Sequence, residues 1–468
     1  MTDIAIIGGG AAGAAVFGEL LRRNPPCTIH WIVNQRSLGR GVAYSTLDER
    51  HLLNVRAAGM GLFLDHSDDF LRHASAELDR VSGSDFLPRR LFGDFVQAQI
   101  GALIQSARQQ GQSFKVHKAG AAGISAAPLN GYIIALEDGR TIEAAHVVLA
   151  LGALPPRPLR SVRSETLASG AYQLDPWAHD EHQTPPRRVV VIGTGLTAVD
   201  TLLSASTRWP AADLVAVSRH GLLPFVHPEQ PLAPFPFQDE LNESLLESNG
   251  VPAMMRLVRK AFAAHSGDWR SIVDGMRPIN ARLWQKLTNR QRRQFLRHLR
   301  WLWEASRHRL APASAQAIEQ LRDEGRLQVQ AARVLRVEGV SPLRITVRGR
   351  VSQLVSTLES DLVIQATGLD TAVAYTEHEL LCGLLEKGLA IADPLQMGVL
   401  AQADGQLIDR SGQPQRGLFA IGSLLRGSLW ECTAMPEIRR AAHHVATVLS
   451  QDLVGVPTLS NSDGGAGN

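Results

Sequence analysis

The sequence predicts an α/β fold with two doubly wound, Rossmann-like units, one nested in the other, and a helical insertion. Two glycine-rich turns carry this prediction: residues 8–13 follow the apolar run 4–7, and residues 193–198 follow the apolar run 189–192. A β-branched apolar run, a glycine turn and a helix-compatible stretch, in this order, are typical of the start of a dinucleotide-binding domain. Both turns together indicate two such domains.

The glycines of each turn suit a pyrophosphate ligand. Gly8, Gly10 and Gly13 allow the first backbone to approach a ligand closely, and Gly193 and Gly195 do the same in the second turn. The helix that follows each turn offers N–H donors and the positive end of its dipole. Proteins with two such sites usually pass a hydride between a nicotinamide and a flavin. We therefore expect FAD at the first site and a nicotinamide dinucleotide at the second.

Length and composition are those of a large soluble enzyme. The chain has 468 residues and a net charge of only +3, and its aromatic residues are scarce outside one helical stretch, which argues against a nucleic-acid partner. Neither a secretory leader nor an apolar run of bilayer length is recognisable. We expect a cytoplasmic protein that binds neither nucleic acid nor membrane and holds no metal. Whether it forms a homo-oligomer is left open.

The cysteines exclude one class of flavoprotein. Cys27, Cys382 and Cys432 are far apart and form neither a C-x-x-C nor a C-x4-C pair. A disulfide reductase of that class holds a redox-active dithiol against its flavin. The electrons must therefore reach an acceptor other than a disulfide of this chain.

Two further strand ends indicate how the domains are nested. Apolar strands end at Gly152 and at Gly368, and this resembles the crossings between domains in two-dinucleotide flavoproteins, where glycine lets the backbone pass close to a cofactor. The resemblance implies a glutathione-reductase-like arrangement. The FAD-binding domain is expected over 1–184 and 336–458, and the nicotinamide-binding domain over 185–335 with a helical insertion at about 228–310. Residues 459–468 are expected to form a disordered tail.

Two local features of the first domain add detail. The second strand, expected over residues 28–33, is followed by Asn34, where an acid usually binds the ribose hydroxyls. An amide can both donate to and accept from a hydroxyl, so Asn34 is a candidate FAD ligand. Residues 114–148 alternate in short apolar runs separated by Asn-Gly and Asp-Gly turns, which predicts a β-meander.

Six longer strings resemble a known family. They are Leu-Gly-Arg-Gly-Val-Ala-Tyr at 38–44, His-Leu-Leu-Asn-Val at 51–55, and the segments 88–92, 218–224, 429–431 and 434–439. In these strings the chain is similar to the FAD/NAD(P)-binding proteins of largely unassigned function that are related to flavin-dependent monooxygenases. The resemblance covers nearly the whole chain and implies cofactor contacts at Arg40 and Leu53.

Residues 54–65 contain a second pattern. Asn54, Met60, Phe63 and Asp65 match an asparagine, a methionine and a Phe-x-Asp element that resemble a segment of the class B and N-hydroxylating flavin monooxygenases. In that class the asparagine amide lies over the flavin and helps to hold the oxygenated cofactor, which implies a catalytic role for Asn54. A neutral donor in a shielded pocket suits this chemistry, because water promotes loss of hydrogen peroxide. The alternative is that Asn54 is a turn residue that caps a local helix.

The choice of nicotinamide cofactor depends on the end of the second strand of the nested domain. An acid there would favour NAD, but this chain has Ser218 and Arg219. An arginine can bind a 2′-phosphate through two charge-assisted hydrogen bonds, so NADPH is the expected cofactor. The alternative is that Arg219 is an ordinary exposed arginine beside a turn.

A basic and aromatic stretch, residues 290–303, lies in the expected insertion. Its apolar residues share one helical face, which indicates packing. The arginines on the other face are either solvated surface or, for Arg297, Arg300 or Arg309, a ligand of a substrate or cofactor phosphate.

The C-terminal region resembles the part of flavoproteins that returns to the flavin. Gly422 matches the glycine that approaches the ribityl chain, and Thr433 is a candidate N-cap just before Pro436. In the resembling proteins the following helix points its N-terminus at the flavin and stabilises negative charge on the reduced ring. Gly422 and Thr433 are therefore candidate FAD contacts.

Together these features predict an NADPH-dependent, FAD-containing monooxygenase. NADPH reduces FAD, oxygen adds at the flavin C4a carbon, and the resulting hydroperoxyflavin transfers one oxygen atom to a small nucleophile. The nitrogen of an amine or amino acid is the first choice, and sulfur or carbonyl oxidation stays open. The alternatives are a flavin-dependent reductase or dehydrogenase, and a non-enzymatic nucleotide-binding sensor or assembly protein.

Overall fold

The computed structural model describes residues 2–34, 38–128, 130–178, 184–368 and 370–454. The expected disordered tail lies outside these residues. The strands are β1 (Ile4–Ile7), β2 (Ile29–Ile32), β3 (Phe114–His117), β4 (Ala121–Ala126), β5 (Tyr132–Leu136), β6 (Thr141–Ala144), β7 (His146–Leu149), β8 (Tyr172–Gln173), β9 (Arg188–Ile192), β10 (Asp213–Ser218), β11 (Leu327–Glu338), β12 (Leu343–Gly349), β13 (Val355–Ser360), β14 (Leu362–Gln365), β15 (Gln406–Ile408) and β16 (Pro414–Ala420).

The helices surround these strands. They are α1 (Ala11–Arg23), α2 (Asp69–Glu77), α3 (Arg89–Gln109), α4 (Ser164–Ala168), α5 (Leu196–Arg208), α6 (Gln238–Glu247), α7 (Gly250–Ala264), α8 (Trp269–Gly275), α9 (Asn280–Lys286), α10 (Asn289–His298), α11 (Arg300–Arg307), α12 (Pro312–Asp323), α13 (Glu379–Glu386), α14 (Arg426–Leu429) and α15 (Met435–Val454). None of those in the described ranges has the length and apolar character needed to cross a bilayer.

The first sheet is the predicted doubly wound unit. In the described residues its order is β15-β16-β7-β1-β2-β3, and all neighbours are parallel except β15 and β16. Side chains of β1 alternate between two buried cores, one formed with α1, α3 and α15 and the other with β4–β6 and α13. Burial on both faces explains why β1 reads as a continuous apolar run.

The second sheet is the nested unit. Its order is β13-β12-β11-β10-β9-β14-β8, with β12 and β13 antiparallel to their neighbours and the rest parallel. This sheet takes β8 from before residue 185 and the strands β12–β14 from beyond residue 335. The described sheet therefore extends past both expected domain boundaries, because a β-hairpin and a returning strand complete it after β11. The position of the boundaries stays a prediction.

The β-meander predicted over residues 114–148 is present except for its first strand, β3. The strands β4, β5 and β6 form a three-stranded antiparallel sheet, as expected, but β3 pairs in parallel with β2 at the edge of the first sheet. Local alternation of apolar residues does not distinguish an edge strand of a parallel sheet from a strand of a hairpin.

The insertion is helical. Helices α6–α11 lie between β10 and α12. The segments that lead into and out of these helices lie next to each other and are joined by a β-bridge between Val226 and Leu310. His227 N–H donates to the Leu310 carbonyl oxygen at 2.9 Å. This pairing joins the root of the insertion to the nested domain.

Candidate functional site

The first glycine turn packs tightly against the end of β7. Gly8 has a φ of 129°, and a Cβ there would lie 2.2 Å from the carbonyl oxygen of Ala150. A Cβ on Gly13 would lie 2.0 Å from the carbonyl oxygen of Gly8. Both positions therefore require glycine for the packing of the turn itself.

Gly10 stands at the open N-terminus of α1. It is the N-cap of α1, and it brings no side chain to the N–H groups of the first helical turn. A Cβ on Gly10 would lie 3.6 Å from the Cα of Gly41, and Gly39 N–H donates to the carbonyl oxygen of Gly9 at 2.8 Å. The string 38–44 thus lies over the first turn. A phosphate placed there would meet free N–H donors and the helix dipole.

The second glycine turn repeats this geometry. Gly193 has a φ of 141°, and a Cβ there would lie 2.1 Å from the carbonyl oxygen of Ala366, just after β14. Gly195 is the N-cap of α5, and a Cβ there would stand in open space. Gly8 and Gly13 in the first turn and Gly193 in the second are therefore required for packing, whereas the N-cap glycines Gly10 and Gly195 leave each helix N-terminus open.

Three other predicted glycines follow strands at the crossings. Gly152, Gly368 and Gly422 have φ values of 70°, 89° and 76°, and a Cβ on any of them would stand in open space. The hydroxyl of Ser423 donates to the carbonyl oxygen of Gly152. Gly152 and Gly422 therefore meet at the ends of the adjacent strands β7 and β16, whereas Gly368 follows β14 in the second sheet.

The remaining first-domain candidates have different surroundings. Asn34 is exposed just beyond β2, and Leu53 is buried. The guanidinium of Arg40 pairs with Asp94, and its Nε donates to Gln97 Oε1 at 2.8 Å, both on α3. Much of the hydrogen-bonding capacity of Arg40 is thus used in contacts with α3. The FAD contacts of Asn34, Arg40 and Leu53 stay predictions.

Ser218 and Arg219 lie at the end of β10. Ser218 Oγ accepts hydrogen bonds from Thr194 Oγ1 at 2.9 Å and from Gly221 N–H at 3.0 Å. Arg219 is exposed, and Arg350 Nη1 approaches its carbonyl oxygen to 3.5 Å. Two arginines, Arg219 and Arg350, therefore lie at this strand end. Arg350 was missed because it follows β12, which is distant in sequence.

Asn54 and Thr433, which are distant in sequence, line one polar pocket. The pocket has about 30 Å³ of open space and lies where residues 54–55, the insertion and the segment 426–437 meet. Its other lining residues are Val55, Arg277, Arg307, His308, Arg426, Trp430, Glu431, Cys432, Ala434 and Glu437. The short helix Ala57–Gly59 that follows Asn54 has Arg56 at its N-cap. The alternative role of Asn54 as a local helix cap is therefore not supported.

The charged side chains of this pocket are paired. Arg277 donates to both carboxylate oxygens of Glu437, at 2.6 and 2.8 Å, and Arg307 Nε donates to Glu431 at 3.3 Å. Although burial opposes it, the hydrogen bond from Arg277 holds the pKa of Glu437 below its usual range. Burial lowers the pKa of His308. The pocket is thus polar but largely compensated in charge.

Trp430 forms a wall of the pocket in a strained conformation. Its φ is 63°, in the left-handed region that a bulky side chain rarely adopts. Its ring stacks on Trp284 with the centroids 4.9 Å apart, and the Arg426 guanidinium lies 5.1 Å from its centroid. Arg426 in turn pairs with Glu304. Backbone strain of this kind persists where packing enforces it, and it is frequent at functional sites.

His227 connects Asn54 to the root of the insertion. Its Nε2 lies 3.1 Å from the carbonyl oxygen of Asn54 and can donate to it in the corresponding tautomer. Burial, together with the positive charge of Arg309, lowers the pKa of His227 to about 3, so the imidazole is neutral at neutral pH. Arg56 Nη2 donates to the carbonyl oxygen of Pro228 at 2.5 Å. These bonds hold the Asn54 segment against the insertion.

The other residues of the monooxygenase-like pattern belong to the core and to an ion pair. Met60 and Phe63 are buried, and Asp65 forms two hydrogen bonds with Arg22 on α1. These contacts hold the segment that carries Asn54 against the first domain.

The three candidate arginines of the insertion do not form one site. Arg297 is exposed, Arg300 Nε donates to Glu304 at 3.0 Å, and Arg309 is fully buried and pairs with Asp274. Arg300 and Arg309 are paired with carboxylates of the insertion, and a ligand role for any one of the three stays a prediction.

An extended dinucleotide fits the first domain. Gly10 opens the N-terminus of α1 to a pyrophosphate, and Gly152 and Gly422 leave open space at the ends of two adjacent strands. Asn54 and Thr433 offer polar groups in the pocket. The residues present therefore suit FAD.

Comparison with known proteins bears on the family and the fold. Residues 5–154 match the family described as FAD-NAD(P)-binding. Uncharacterized protein YdhS of Escherichia coli K12 is 23% identical over 218 residues, which are 44% of this chain. The matched region spans only 40% of the length of that curated relative.

Solved structures share the fold over nearly the whole chain. An ornithine N-hydroxylase of Kutzneria sp. 744, with reduced FAD, NADP+ and L-ornithine, has a TM-score of 0.63 at 16% identity and covers 96% of this chain and 99% of its own. L-lysine 6-monooxygenase of Pseudomonas syringae has a TM-score of 0.61 at 17% identity, with coverages of 96% and 99%. Lactococcus lactis thioredoxin reductase has a TM-score of 0.52 at 12% identity, with coverages of 97% and 100%.

These comparisons confirm the predicted fold class and the expectation of FAD and a nicotinamide dinucleotide. The matched segment contains the first glycine turn, β1–β7 and Asn54. Residues 5–154 therefore match the family described as FAD-NAD(P)-binding, and the chain shares the fold of the ornithine N-hydroxylase and the thioredoxin reductase compared above.

Proposed function

We propose that this protein is an FAD-containing, NADPH-dependent monooxygenase that hydroxylates the nitrogen of a small amine or amino acid. RNH2, O2, NADPH and a proton would give RNHOH, water and NADP+, with NADPH supplying the two electrons that reduce the second oxygen atom to water. The observation that carries this proposal is the meeting of Asn54, Thr433 and the start of α15 in one polar pocket. The fold shared with ornithine and lysine hydroxylases supports it.

The residues of the pocket would stabilise negative charge and exclude water. Bound FAD would supply hydride acceptance from NADPH and the reaction with oxygen. The Asn54 amide is a neutral donor whose charge does not change with pH, so it would stabilise developing negative charge at the reacting oxygen. The N-terminus of α15, next to Thr433, would add the positive end of its dipole. The ring of Trp430 would shield the same place from solvent.

NADPH would bind at the second glycine turn. Gly195 opens the N-terminus of α5 to the pyrophosphate, and Arg219 and Arg350 lie at the end of β10, where a 2′-phosphate would lie. Ser218 serves this site by holding the turn through Thr194 and Gly221.

Replacing Arg219 with alanine is expected to lower the catalytic efficiency with NADPH by about one to two decades. Hydrogen bonds to a charged group contribute about 1.5–3 kcal/mol each, and 1.4 kcal/mol corresponds to about tenfold in affinity. Efficiency with NADH, which lacks the 2′-phosphate, should change little. Initial rates of flavin reduction with both cofactors measure this difference.

Arg344→Ala is the matched control, because Arg344 is an exposed arginine at the opposite end of β12 that pairs with Glu338. It should leave both cofactors unaffected. Equal losses for NADPH and NADH in Arg219→Ala would show that Arg219 has a structural role only.

Turnover in air tests the proposed function. The purified protein with FAD bound should consume NADPH faster when an amine such as n-hexylamine or L-ornithine is present, and a hydroxylamine should accumulate. Flavin reduction that yields only hydrogen peroxide would favour a reductase or an oxidase. A protein that takes up no FAD would favour a non-enzymatic nucleotide-binding role.

A further inference from the structure

An apolar cavity, partly open to the surface, lies in the helical insertion beside the polar pocket. It has about 150 Å³ of open space, and its walls come from helices α7–α11 and the segments between them, together with Trp430. Among the residues that line it, Asn280 and Ser306 alone have amide or hydroxyl side chains. An apolar cavity of about this volume accommodates a benzene-sized group.

The cavity and the polar pocket share a wall. Trp430 lines both of them. Glu431 of the polar pocket accepts hydrogen bonds from Asn280 Nδ2 and from Trp303 Nε1, both at 2.9 Å, and these two residues line the cavity. A molecule with an apolar body in the cavity would therefore have its polar end next to Glu431.

The paired charges of the polar pocket argue against a free amino acid as the occupant. Arg277 and Arg307 already bind Glu437 and Glu431. An α-carboxylate would have to compete with these glutamates, and against the apolar walls of the cavity it would have no charged partner, which is costly. An apolar chain or ring meets no such cost there.

We infer that the insertion cavity binds the apolar body of the substrate, and that the substrate is a primary amine carrying a chain or ring of about six carbons, sized by the cavity. This inference rests on the proposed function and narrows its substrate from amines and amino acids to apolar amines. The amine nitrogen would extend past Trp430 and Glu431 toward Asn54.

Binding of n-alkylamines to the full-length, FAD-loaded protein tests the inference without turnover. Trp284, Trp303 and Trp430 line the cavity, so quenching of tryptophan fluorescence reports its occupation. We expect n-hexylamine to bind about tenfold more tightly than n-butylamine, because two more methylene groups are buried. L-ornithine should bind more weakly than n-hexylamine.

Two variants change the cavity in opposite directions. Val258→Phe on α7 should fill it and weaken n-hexylamine binding about tenfold with little effect on n-butylamine. Leu302→Ala on α11 should enlarge it and shift the preference toward n-octylamine, which keeps the test decisive if Val258→Phe does not fold. Ala263→Phe is the matched control, since Ala263 is exposed on the same helix as Val258 and does not line the cavity.

The outcomes separate this inference from the proposed function. If binding follows chain length and both variants behave as expected, but NADPH oxidation yields only hydrogen peroxide, the cavity is an apolar ligand site and the monooxygenase proposal fails. If L-ornithine is hydroxylated and Val258→Phe and Leu302→Ala leave amine preference unchanged, the monooxygenase stands and the inference is overturned. Light scattering that shows a dimer dissociated by Val258→Phe would also overturn it, because the cavity would then be an interface.

Discussion

Replacing Asn54 with alanine is expected to abolish hydroxylation while FAD binding and flavin reduction by NADPH remain close to normal. The amide would act only on charge that develops at oxygen, and removal of one such donor typically costs about 2.7–4 kcal/mol, or 100- to 1,000-fold in rate. The carbonyl oxygen that contacts His227 belongs to the backbone and is retained in the variant. NADPH should therefore still be consumed, with hydrogen peroxide replacing the hydroxylated product.

The measurement compares NADPH consumed, peroxide released and hydroxylamine formed. Asn289→Ala is a suitable control, because Asn289 is an exposed asparagine at the start of α10. It should keep the wild-type ratio of product to peroxide. If Asn54→Ala instead loses FAD or unfolds, Asn54 is structural and the pocket has been assigned the wrong role.

Substitutions of the two N-cap glycines, Gly10 and Gly195, are expected to weaken the binding of different cofactors. Gly10→Val should greatly weaken FAD binding, because the valine side chain would enter the narrow space between Gly10 and Gly41. Gly195→Val should keep FAD and weaken NADPH about tenfold or more, the loss expected when a charge-assisted hydrogen bond to phosphate is broken. The protein itself tolerates the second change, since a Cβ on Gly195 would stand in open space.

Flavin absorbance after gel filtration measures FAD retention, and the dependence of flavin reduction on NADPH concentration measures the second site. Gly101→Ala on α3 serves as the control, because a Cβ there also has open space and Gly101 lies far from both turns in sequence. It should keep both cofactors. A Gly195→Val variant that lost FAD and bound NADPH normally would reverse the assignment of the two sites.

The parts of the fold that depend on local sequence patterns could be predicted from the sequence. The strand, glycine turn and helix of each unit lie where the two fingerprints predict them, from β1 to α1 and from β9 to α5. Such a turn involves only neighbouring residues, so a short stretch of sequence is enough to predict its conformation. The strand β3 was assigned to the wrong sheet because its pairing partner, β2, is distant in sequence.

The candidate site could be predicted only in part. Asn54 and Thr433 were each recognised from a local resemblance, but their meeting in one pocket depends on tertiary packing of the insertion against the C-terminal segment. The strained backbone of Trp430 and the approach of Arg350 to Arg219 have no local signature. Local resemblance can also suggest a contact that the structure does not show: Arg40 was proposed as a cofactor ligand, but its guanidinium pairs with Asp94.

The fate of labelled oxygen tests the monooxygenase proposal most directly. The FAD-loaded protein would be supplied with NADPH, n-hexylamine and 18O2, and the product analysed by mass spectrometry against the NADPH consumed. We expect one 18O atom in each hydroxylamine, with product approaching one per NADPH. Rapid NADPH oxidation in which all of the label appears as hydrogen peroxide, with this amine and with L-ornithine alike, would contradict the proposal.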